Sequence, residues 1–424
     1  MTILHTRSIR LPFLIVLLLL IMGIPRSQPT AAQDYPYTTA PHVYIWDAAT
    51  GDTLFQWDYT DQYPTAVTFS PDNSHVIVAM YSGVVIVYDI SLPRPAHVAE
   101  RQFGTDSYPH LYNLPQANRL LITGLGHFWV WDYAQDQVVM EVQSYGASLS
   151  PDGAFVLNFW QEDLQVFDVS TGEMVSTGTL KDDPRMFAWQ PGSEYFAITT
   201  ETGFSIYART TPNPVYTFVD DRFTRVYSDN LSWSPDGSAM MVALSNMGSI
   251  SDVELHVVDT ASLVDHVIGT FDNLHSARWS PDSRSILVTD ATVGADVIDA
   301  ATGETLNTID HLPFYQADWS QDGTYMVGEA NDFPLYGIWN TQTGERVYGV
   351  PADRYGIPPG TASFWSADRS QAAVFFFPTM DADLWNFADF TSTPKTLHHD
   401  DYMIGAAWSP DGTRIATFTG VPIG

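Results

Sequence analysis

The 424-residue chain contains no cysteine and only two lysines, Lys181 and Lys395. Without cysteine it forms no disulfide and no thiolate metal site, so buried apolar surface must supply its stability.

The chain is strongly acidic: it has 18 Lys and Arg but 49 Asp and Glu, which gives a net charge of −31. Nucleic acid needs clustered Lys and Arg to neutralise its phosphates, so we expect no nucleic-acid partner, and an anionic membrane surface is disfavoured for the same reason. Cations, basic partner proteins and neutral glycans stay open as ligands, and the charge could also serve solubility alone.

Local signatures of common catalytic sites are also absent from the sequence. There is no Gly-x-Ser-x-Gly nucleophile elbow, no Gly-Lys pair of a phosphate loop and no His-Glu-x-x-His zinc helix. We therefore expect a protein without catalytic activity, although an active site built from scattered residues would leave no such motif.

The N-terminal segment has the features of a secretory signal peptide. Arg7 and Arg10 precede an apolar run over 11–24, and small residues up to Ala32 follow. This order predicts export to the periplasm or the extracellular space, with cleavage near Ala32 that removes residues 1–32. An uncleaved membrane anchor is the alternative, although 14 residues are fewer than the ~20 that a spanning helix needs. Cleavage would remove three arginines and change the net charge from −31 to −34, and we expect no transmembrane helix in the mature chain.

One short phrase recurs about every forty residues. It is Trp-Ser-Pro-Asp-Gly at 233–237 and 408–412, and Trp-Ser-Pro-Asp at 279–282. Weaker copies begin at Phe69, Ser150, Trp189, Trp319 and Trp365, and a worn copy begins at Leu114. Successive copies start 36 to 46 residues apart, which is the period of a four-stranded propeller blade.

The unit at 147–176 shows the plan of one repeat. A turn precedes an apolar strand at 155–159, and residues 164–168 alternate with period two before the turn at 170–172. Alternation with a turn every 8–12 residues is typical of an antiparallel meander. Proline presets one turn torsion, aspartate hydrogen-bonds nearby amides and glycine accepts a positive φ, so both turns have a structural explanation. With no helical periodicity and no Gly/Ser-rich linker, residues 33–424 are predicted to form a single all-β domain.

The repeats resemble those of bacterial WD-repeat and TolB-like propellers. Candidates for the WD dipeptide of that family are Trp46-Asp47, Trp131-Asp132 and the reduced forms Tyr88-Asp89, Phe167-Asp168 and Trp339-Asn340. The Trp-Ser-Pro-Asp-Gly phrase is similar to the exported, TolB-like branch, and the resemblance covers nearly all of residues 42–419. It implies a fold and not an activity. The Gly-His dipeptide that opens a standard WD repeat is missing, which argues against the buried histidine-centred hydrogen-bond network of that family.

Half repeats stand at the two ends of this region. Residues 43–57 supply a third and a fourth strand, and residues 406–419 supply a first and a second. Pairing these halves in one blade would remove the exposed edges of an open ring. Together with eight full repeats, this predicts a single propeller of four-stranded antiparallel blades, eight or nine in number because the repeat at 111–142 is worn.

Ten of the 13 tryptophans fall at two repeat positions, which favours packing between blades over ligand binding. One position contains Trp189, Trp233, Trp279, Trp319, Trp365 and Trp408, and the other contains Trp46, Trp131, Trp339 and Trp385.

Two functions compete for such a fold. The leading prediction is a secreted, non-catalytic scaffold that binds a protein or a cationic ligand. The runner-up is an exported propeller enzyme, a quinoprotein-like dehydrogenase or a lactonase, with its active site at the axial mouth. The Asp-x-x-Thr-Gly turns resemble those of quinoprotein dehydrogenases, but Trp57 sits two residues later than the docking tryptophan of that family. No cofactor is predicted.

The densest cluster of possible metal ligands is His398-His399-Asp400-Asp401. A divalent cation could bind there. Adjacent residues of a strand point to opposite faces, so the two histidines converge only if the segment is a loop. A solvated loop without a metal is the alternative.

In a meander, successive connections alternate between the two ends of the ring. We call the end with the Ser-Pro-Asp-Gly and Thr-Gly turns the turn face, and the opposite end, with the links between blades and the loops between second and third strands, the link face. The long, irregular links lie at 58–63, 181–185, 220–230, 310–315, 353–360 and 398–402. Irregular loops on a rigid scaffold are where binding concentrates. We predict that a cation or a basic partner binds at the link face, near Asp182, Asp183, Asp220, Asp221, His398, His399, Asp400, Asp401, Tyr315 and Tyr355.

Overall fold

The computed structural model describes residues 41–420 except 61, 105–108, 116–117, 125, 181, 201–202, 212, 221, 224, 246–251, 291–293, 311–313, 331–335, 350–360, 369, 377–379 and 387–393. Side chains are not described at 225–229, 310, 314–316, 329–330, 336, 348–349, 361–363 and 376. The predicted signal peptide, residues 1–32, lies outside this part of the chain. Within it every element is a β-strand, and no helix has the length and apolar character needed to cross a membrane.

In the described part of the chain, 36 strands form nine sheets of four. The first ten are β1 (His42–Asp47), β2 (Thr53–Asp58), β3 (Pro64–Phe69), β4 (His75–Met80), β5 (Val84–Asp89), β6 (Ala96–Gln102), β7 (His110–Asn113), β8 (Arg119–Gly124), β9 (His127–Asp132) and β10 (Gln137–Gln143). The next twelve are β11 (Gly146–Leu149), β12 (Phe155–Trp160), β13 (Asp163–Asp168), β14 (Met174–Thr179), β15 (Met186–Trp189), β16 (Tyr195–Thr199), β17 (Gly203–Ala208), β18 (Pro214–Val219), β19 (Arg225–Trp233), β20 (Ala239–Ser245), β21 (Val253–Asp259) and β22 (Asp265–Phe271). The remaining fourteen are β23 (Leu274–Trp279), β24 (Ser285–Asp290), β25 (Gly294–Asp299), β26 (Thr305–Asp310), β27 (Phe314–Trp319), β28 (Tyr325–Ala330), β29 (Tyr336–Asn340), β30 (Arg346–Gly349), β31 (Thr361–Trp365), β32 (Gln371–Phe376), β33 (Asp381–Asn386), β34 (Lys395–His398), β35 (Met403–Trp408) and β36 (Arg414–Thr419).

Each sheet is an antiparallel meander, as the alternating sequence predicts, and constitutes one blade. Blade 1 contains β35, β36, β1 and β2 in that spatial order, and blades 2 to 9 take four consecutive strands each from β3 to β34. The prediction for the closing blade is confirmed: β1 pairs antiparallel with β36, with Val43 opposite Phe418 and Asp47 opposite Arg414. The blade number is therefore nine, and the worn repeat forms a full blade of its own from β7 to β10.

The first strands of neighbouring blades contact one another around the axis, as β35 does with β3 and β19 does with β23. The fourth strands form the rim, where every second residue of β2 and β14 is half-buried and its neighbours are exposed. Apolar clusters fill the spaces between blades; one joins Leu231 and Met240 of blade 6 to Phe204 and Ile206 of blade 5. The core is thus a ring of interfaces between sheets.

The Ser-Pro-Asp-Gly phrase makes the hairpin between first and second strands. In blade 6 the Ser234 hydroxyl donates to Asp236 Oδ1 at 2.7 Å and accepts from the Ala239 amide at 3.0 Å. The same Ser-to-Asp bond recurs at Ser70–Asp72, Ser150–Asp152, Ser280–Asp282, Ser320–Asp322, Ser366–Asp368 and Ser409–Asp411. These bonds hold the carboxylates ionised: the Ser70 and Ser74 hydroxyls lower the pKa of Asp72 to about 2. The turn aspartates are therefore accounted for structurally.

Eight of the ten tryptophans at the repeat positions are buried, as predicted, and Trp365 and Trp408 are half-buried against the core. Trp131 and Trp339 are fully buried and Trp233 is 7% exposed. The indoles at the end of the first strands also join blades: each of four donates Nε1–H to a backbone carbonyl of the preceding first strand. These bonds are Trp189 to Ser148 (3.2 Å), Trp233 to Ala188 (3.0 Å), Trp319 to Arg278 (3.0 Å) and Trp408 to Phe364 (2.9 Å).

Candidate binding surfaces

On the turn face, a pocket of about 380 Å³ opens at the axial end of the first strands. Four consecutive blades line it, with Ser232, Trp233, Pro235, Arg278, Trp279, Pro281, Asp318, Gln321, Ala367 and Asp368. This volume lies near the lower end of the range of small-molecule binding pockets. Its charged groups are one guanidinium and two carboxylates. Asp368 belongs to a turn, where the hydroxyl of Ser366 is the main cause of its lowered pKa, so this carboxylate is held as an ionised structural group.

The two neighbouring histidines of the predicted metal cluster diverge. His398, the last residue of β34, is exposed, and its Nδ1 lies 2.9 Å from Asp381 Oδ1. His399 is 5% exposed. Within the described ranges, no three His, Asp or Glu side chains are placed to hold a metal ion. Asp400 and Asp401 lie on the link between blades 9 and 1, and the two imidazoles do not converge on them. The binding of a divalent cation stays a prediction.

A histidine-centred network lies at the closing blade, which corrects the expectation from the missing Gly-His dipeptide. His399 Nδ1 is 3.0 Å from the Met380 carbonyl, which only accepts, so this nitrogen carries the proton. The other nitrogen, Nε2, then accepts from the Thr417 hydroxyl at 2.8 Å, and Thr417 accepts from Trp46 Nε1–H at 2.8 Å. Burial lowers the pKa of His399 to about 4, in agreement with a neutral ring. His399 is thus part of the core, and it does not reach the link-face surface.

Asp220 belongs to a polar network between blades 5 and 6. Arg222 binds its carboxylate at 2.8 Å and reaches Glu254 at 3.2 Å. Glu254 lies beside His256, which is buried. The Nδ1 atom of His256 is 3.1 Å from the carboxylate of Asp265. The charge of Asp220 is therefore partly compensated within the chain, and Arg222 is the main cause of the lowered pKa of Asp220.

Asp182 and Asp183 have a different setting, at the link-face end of blade 4. Both are exposed, and a tilted aromatic pair lies at the same end of the blade. The rings of Tyr145 and Trp160 have centroids 4.4 Å apart and an interplanar angle of 32°. Tyr145 is 54% exposed. Sequence reasoning missed this pair, although one signal was present: Trp160 is one of three tryptophans outside the two repeat positions.

Comparisons with known proteins bear on the fold. No protein-family model and no curated protein sequence matches the chain. Among solved structures, "Crystal structure of the eukaryotic initiation factor" is similar over 91% of this chain and 100% of its own, with a TM-score of 0.63 and 12% identity. The fold is a nine-bladed β-propeller. At this identity the likeness shows nothing beyond the fold. A second structure, "Kuenenia stuttgartiensis Hydrazine Synthase", covers 66% of this chain and 97% of its own at 14% identity, with a TM-score of 0.42.

Three of the predicted link-face residues cannot be placed as side chains. Asp221 and Tyr355 lie outside the described residues, and Tyr315 lies in β27 with its side chain outside them. Of the others, Asp182, Asp183, His398 and Asp400 are exposed, whereas Asp220 and Asp401 are half-buried. The predicted set is therefore spread around the ring and does not form one cluster.

Proposed function

We propose that this propeller is an exported, non-catalytic binding scaffold of the WD-repeat and TolB-like kind, whose link face binds a basic partner protein. The propeller fold supports a binding role in general terms. The sequence of the first 32 residues supports export, and the Trp46–Thr417–His399 network, together with the WD-like dipeptides, supports the family.

One observation carries this proposal: the two faces use their acids differently. On the turn face, repeated aspartates accept hydrogen bonds from their own turns, as Asp236 and Asp168 do. On the link face, Asp182, Asp183 and Asp400 are exposed on irregular links. Exposed carboxylates in a chain of net charge −31 favour a positively charged partner and accelerate its association.

Binding of a basic probe tests the proposal. The probe is a ten-residue peptide of alternating lysine and glycine, and its affinity is measured by calorimetry at low and physiological ionic strength. The link-face variant replaces Asp with Asn at Asp182, Asp183, Asp400 and Asp401. The matched control neutralises four exposed acids of the turn face, Asp52, Glu173, Glu304 and Glu345.

We expect the link-face variant to bind the peptide more weakly and with a flatter salt dependence than the control, because only acids within about a Debye length of the bound peptide attract it appreciably. Equal losses in both variants would show that net charge alone attracts the peptide. That result would contradict a link-face site.

A further inference from the structure

We propose that the aromatic pair Tyr145–Trp160 is the anchor of the link face and receives a lysine or arginine side chain from a partner protein. This inference rests on the proposed function and narrows the binding site from the whole link face to one end of blade 4. Partner recognition at this end would combine an aromatic surface with surrounding carboxylates.

Backbone pairing holds the aromatic pair in place. The Tyr145 amide donates to the Phe159 carbonyl at 2.8 Å, which sets Tyr145 beside the end of β12, where Trp160 is the last residue. The indole of Trp160 is half-buried, and its ring centroid lies 4.4 Å from that of Tyr145 at a tilt of 32°. The phenol ring also contacts Phe159, with centroids 6.2 Å apart, and Tyr145 remains 54% exposed. A rigid, exposed ring of this kind binds a partner side chain at little entropic cost.

Carboxylates lie at the same end of the adjoining strands of the blade. Trp160 is opposite Asp163 in the pairing of β12 with β13, and Glu162 stands in the connecting turn. The Leu180 amide donates to the Glu162 carbonyl at 2.8 Å, so the link with Asp182 and Asp183 starts one strand further out.

The acids at this end of blade 4 lie at the surface. Glu162, Asp163, Asp182 and Asp183 are exposed, and among the described residues none of the four forms an ion pair. Asp220, by contrast, is bound by Arg222. The end of blade 4 therefore combines an exposed aromatic ring with four carboxylates, which outnumber Lys181 and Arg185 of the same link.

That combination decides the occupant. The negative face of an aromatic ring attracts an ammonium or guanidinium group, and nearby carboxylates strengthen the attraction. Tyrosine and tryptophan at the centre of an interface are also the residues that carry most binding energy. A neutral sugar would use the ring but not the four acids, and an anionic ligand would be repelled.

Variants of Tyr145 test the anchor with the same Lys-Gly peptide. Tyr145→Leu removes the π face, Tyr145→Phe retains it, and Tyr63→Leu is the matched control, since Tyr63 is 46% exposed on the link of blade 2. We expect Tyr145→Leu to weaken binding by about 3- to 10-fold at both salt concentrations. Tyr145→Phe and Tyr63→Leu should bind like the wild type, and thermal midpoints show whether each variant is folded.

The outcomes separate this inference from the function on which it rests. If the wild type does not bind the peptide, the proposal of a basic partner fails. If the wild type binds and Tyr145→Leu binds equally well, the link face stands and the anchor is refuted. A peptide with glutamine in place of lysine should not bind; binding of that peptide, or of chito-oligosaccharides, through Tyr145 would overturn the cationic occupant.

Discussion

Replacing Trp233 by alanine tests whether the repeated tryptophans hold the ring together. Trp233 is 7% exposed and packs with Leu231, Met240 and Phe204 across the boundary between blades 5 and 6. Truncating a buried aromatic side chain to alanine costs about 3–5 kcal/mol, because transfer energy is lost and a cavity remains. The indole also donates to the Ala188 carbonyl at 3.0 Å, a bond worth about 0.5–1.5 kcal/mol net. We therefore expect Trp233→Ala to lower the free energy of unfolding by about 3 kcal/mol or more.

Urea denaturation followed by far-ultraviolet circular dichroism measures this loss of stability. Two further variants provide the comparison. Trp233→Phe keeps most of the apolar contact and loses the indole N–H, so it should cost about 1–2 kcal/mol. Trp160→Ala removes a half-buried ring outside the repeat positions and should cost less than Trp233→Ala. If Trp233→Ala left the midpoint within error of the wild type, Trp233 would not be a core residue, and the assignment of all ten repeated tryptophans to packing would fail.

Three further predictions concern the turns and the closing blade. Ser234→Ala removes the hydroxyl that joins Asp236 to the following strand and should cost about 1–3 kcal/mol in urea denaturation, because a half-buried amide loses its acceptor. Gly303 has a φ of +74°, and an added Cβ would clash with the Ile268 carbonyl oxygen, whereas Gly126, with a φ of +79°, has nothing within 4 Å. Gly303→Ala should therefore lower the thermal midpoint much further than Gly126→Ala, which bears only the ~1–2 kcal/mol of left-handed backbone strain. Burial lowers the pKa of His399 to about 4 from its ordinary 6.5, so the unfolded chain binds a proton first as the pH falls, and protonation of this residue removes up to about 3 kcal/mol of stability between pH 6.5 and pH 4. His399→Asn should therefore flatten the dependence of the unfolding free energy on pH in that window. An unchanged slope would show that His399 is not buried as a neutral ring.

The blades could be predicted from the sequence because their information is local. Ser, Pro, Asp and Gly within five residues define the first hairpin, and period-two alternation defines the strands on either side. The closing of the ring followed from counting strands at the two ends. The hairpins and strands were thus inferred from residues close in sequence, and ring closure from the strands that each end lacks.

Contacts between blades were not predictable in the same way, because their partners are distant in sequence. The amide of Asp236 donates to the Ser283 hydroxyl at 3.1 Å, 47 residues away. Ser283 stands at the position of the turn glycine and has a φ of 64°, and its side chain joins two turns. The His399 network likewise joins Trp46 and Thr417, 371 residues apart.

The candidate site is less accessible to sequence reasoning. Charge and loop irregularity indicated the link face, where Asp182 and Asp183 are exposed, and binding there stays a prediction. Tyr145 and Trp160 carry no motif, and their contact depends on the pairing of a link with the end of a strand. His399 was indistinguishable in sequence from its exposed neighbour His398, since only the fold decides which of two adjacent side chains points inward.

Hydrogen–deuterium exchange of the complex with the Lys-Gly peptide shows which face of the propeller binds. A basic partner at the link face should protect the link-face segments of blade 4, residues 159–163 and 179–185, and leave the turn at 234–239 unchanged. Protection confined to the turn face, around the pocket that contains Arg278 and Asp318, would refute a link-face site.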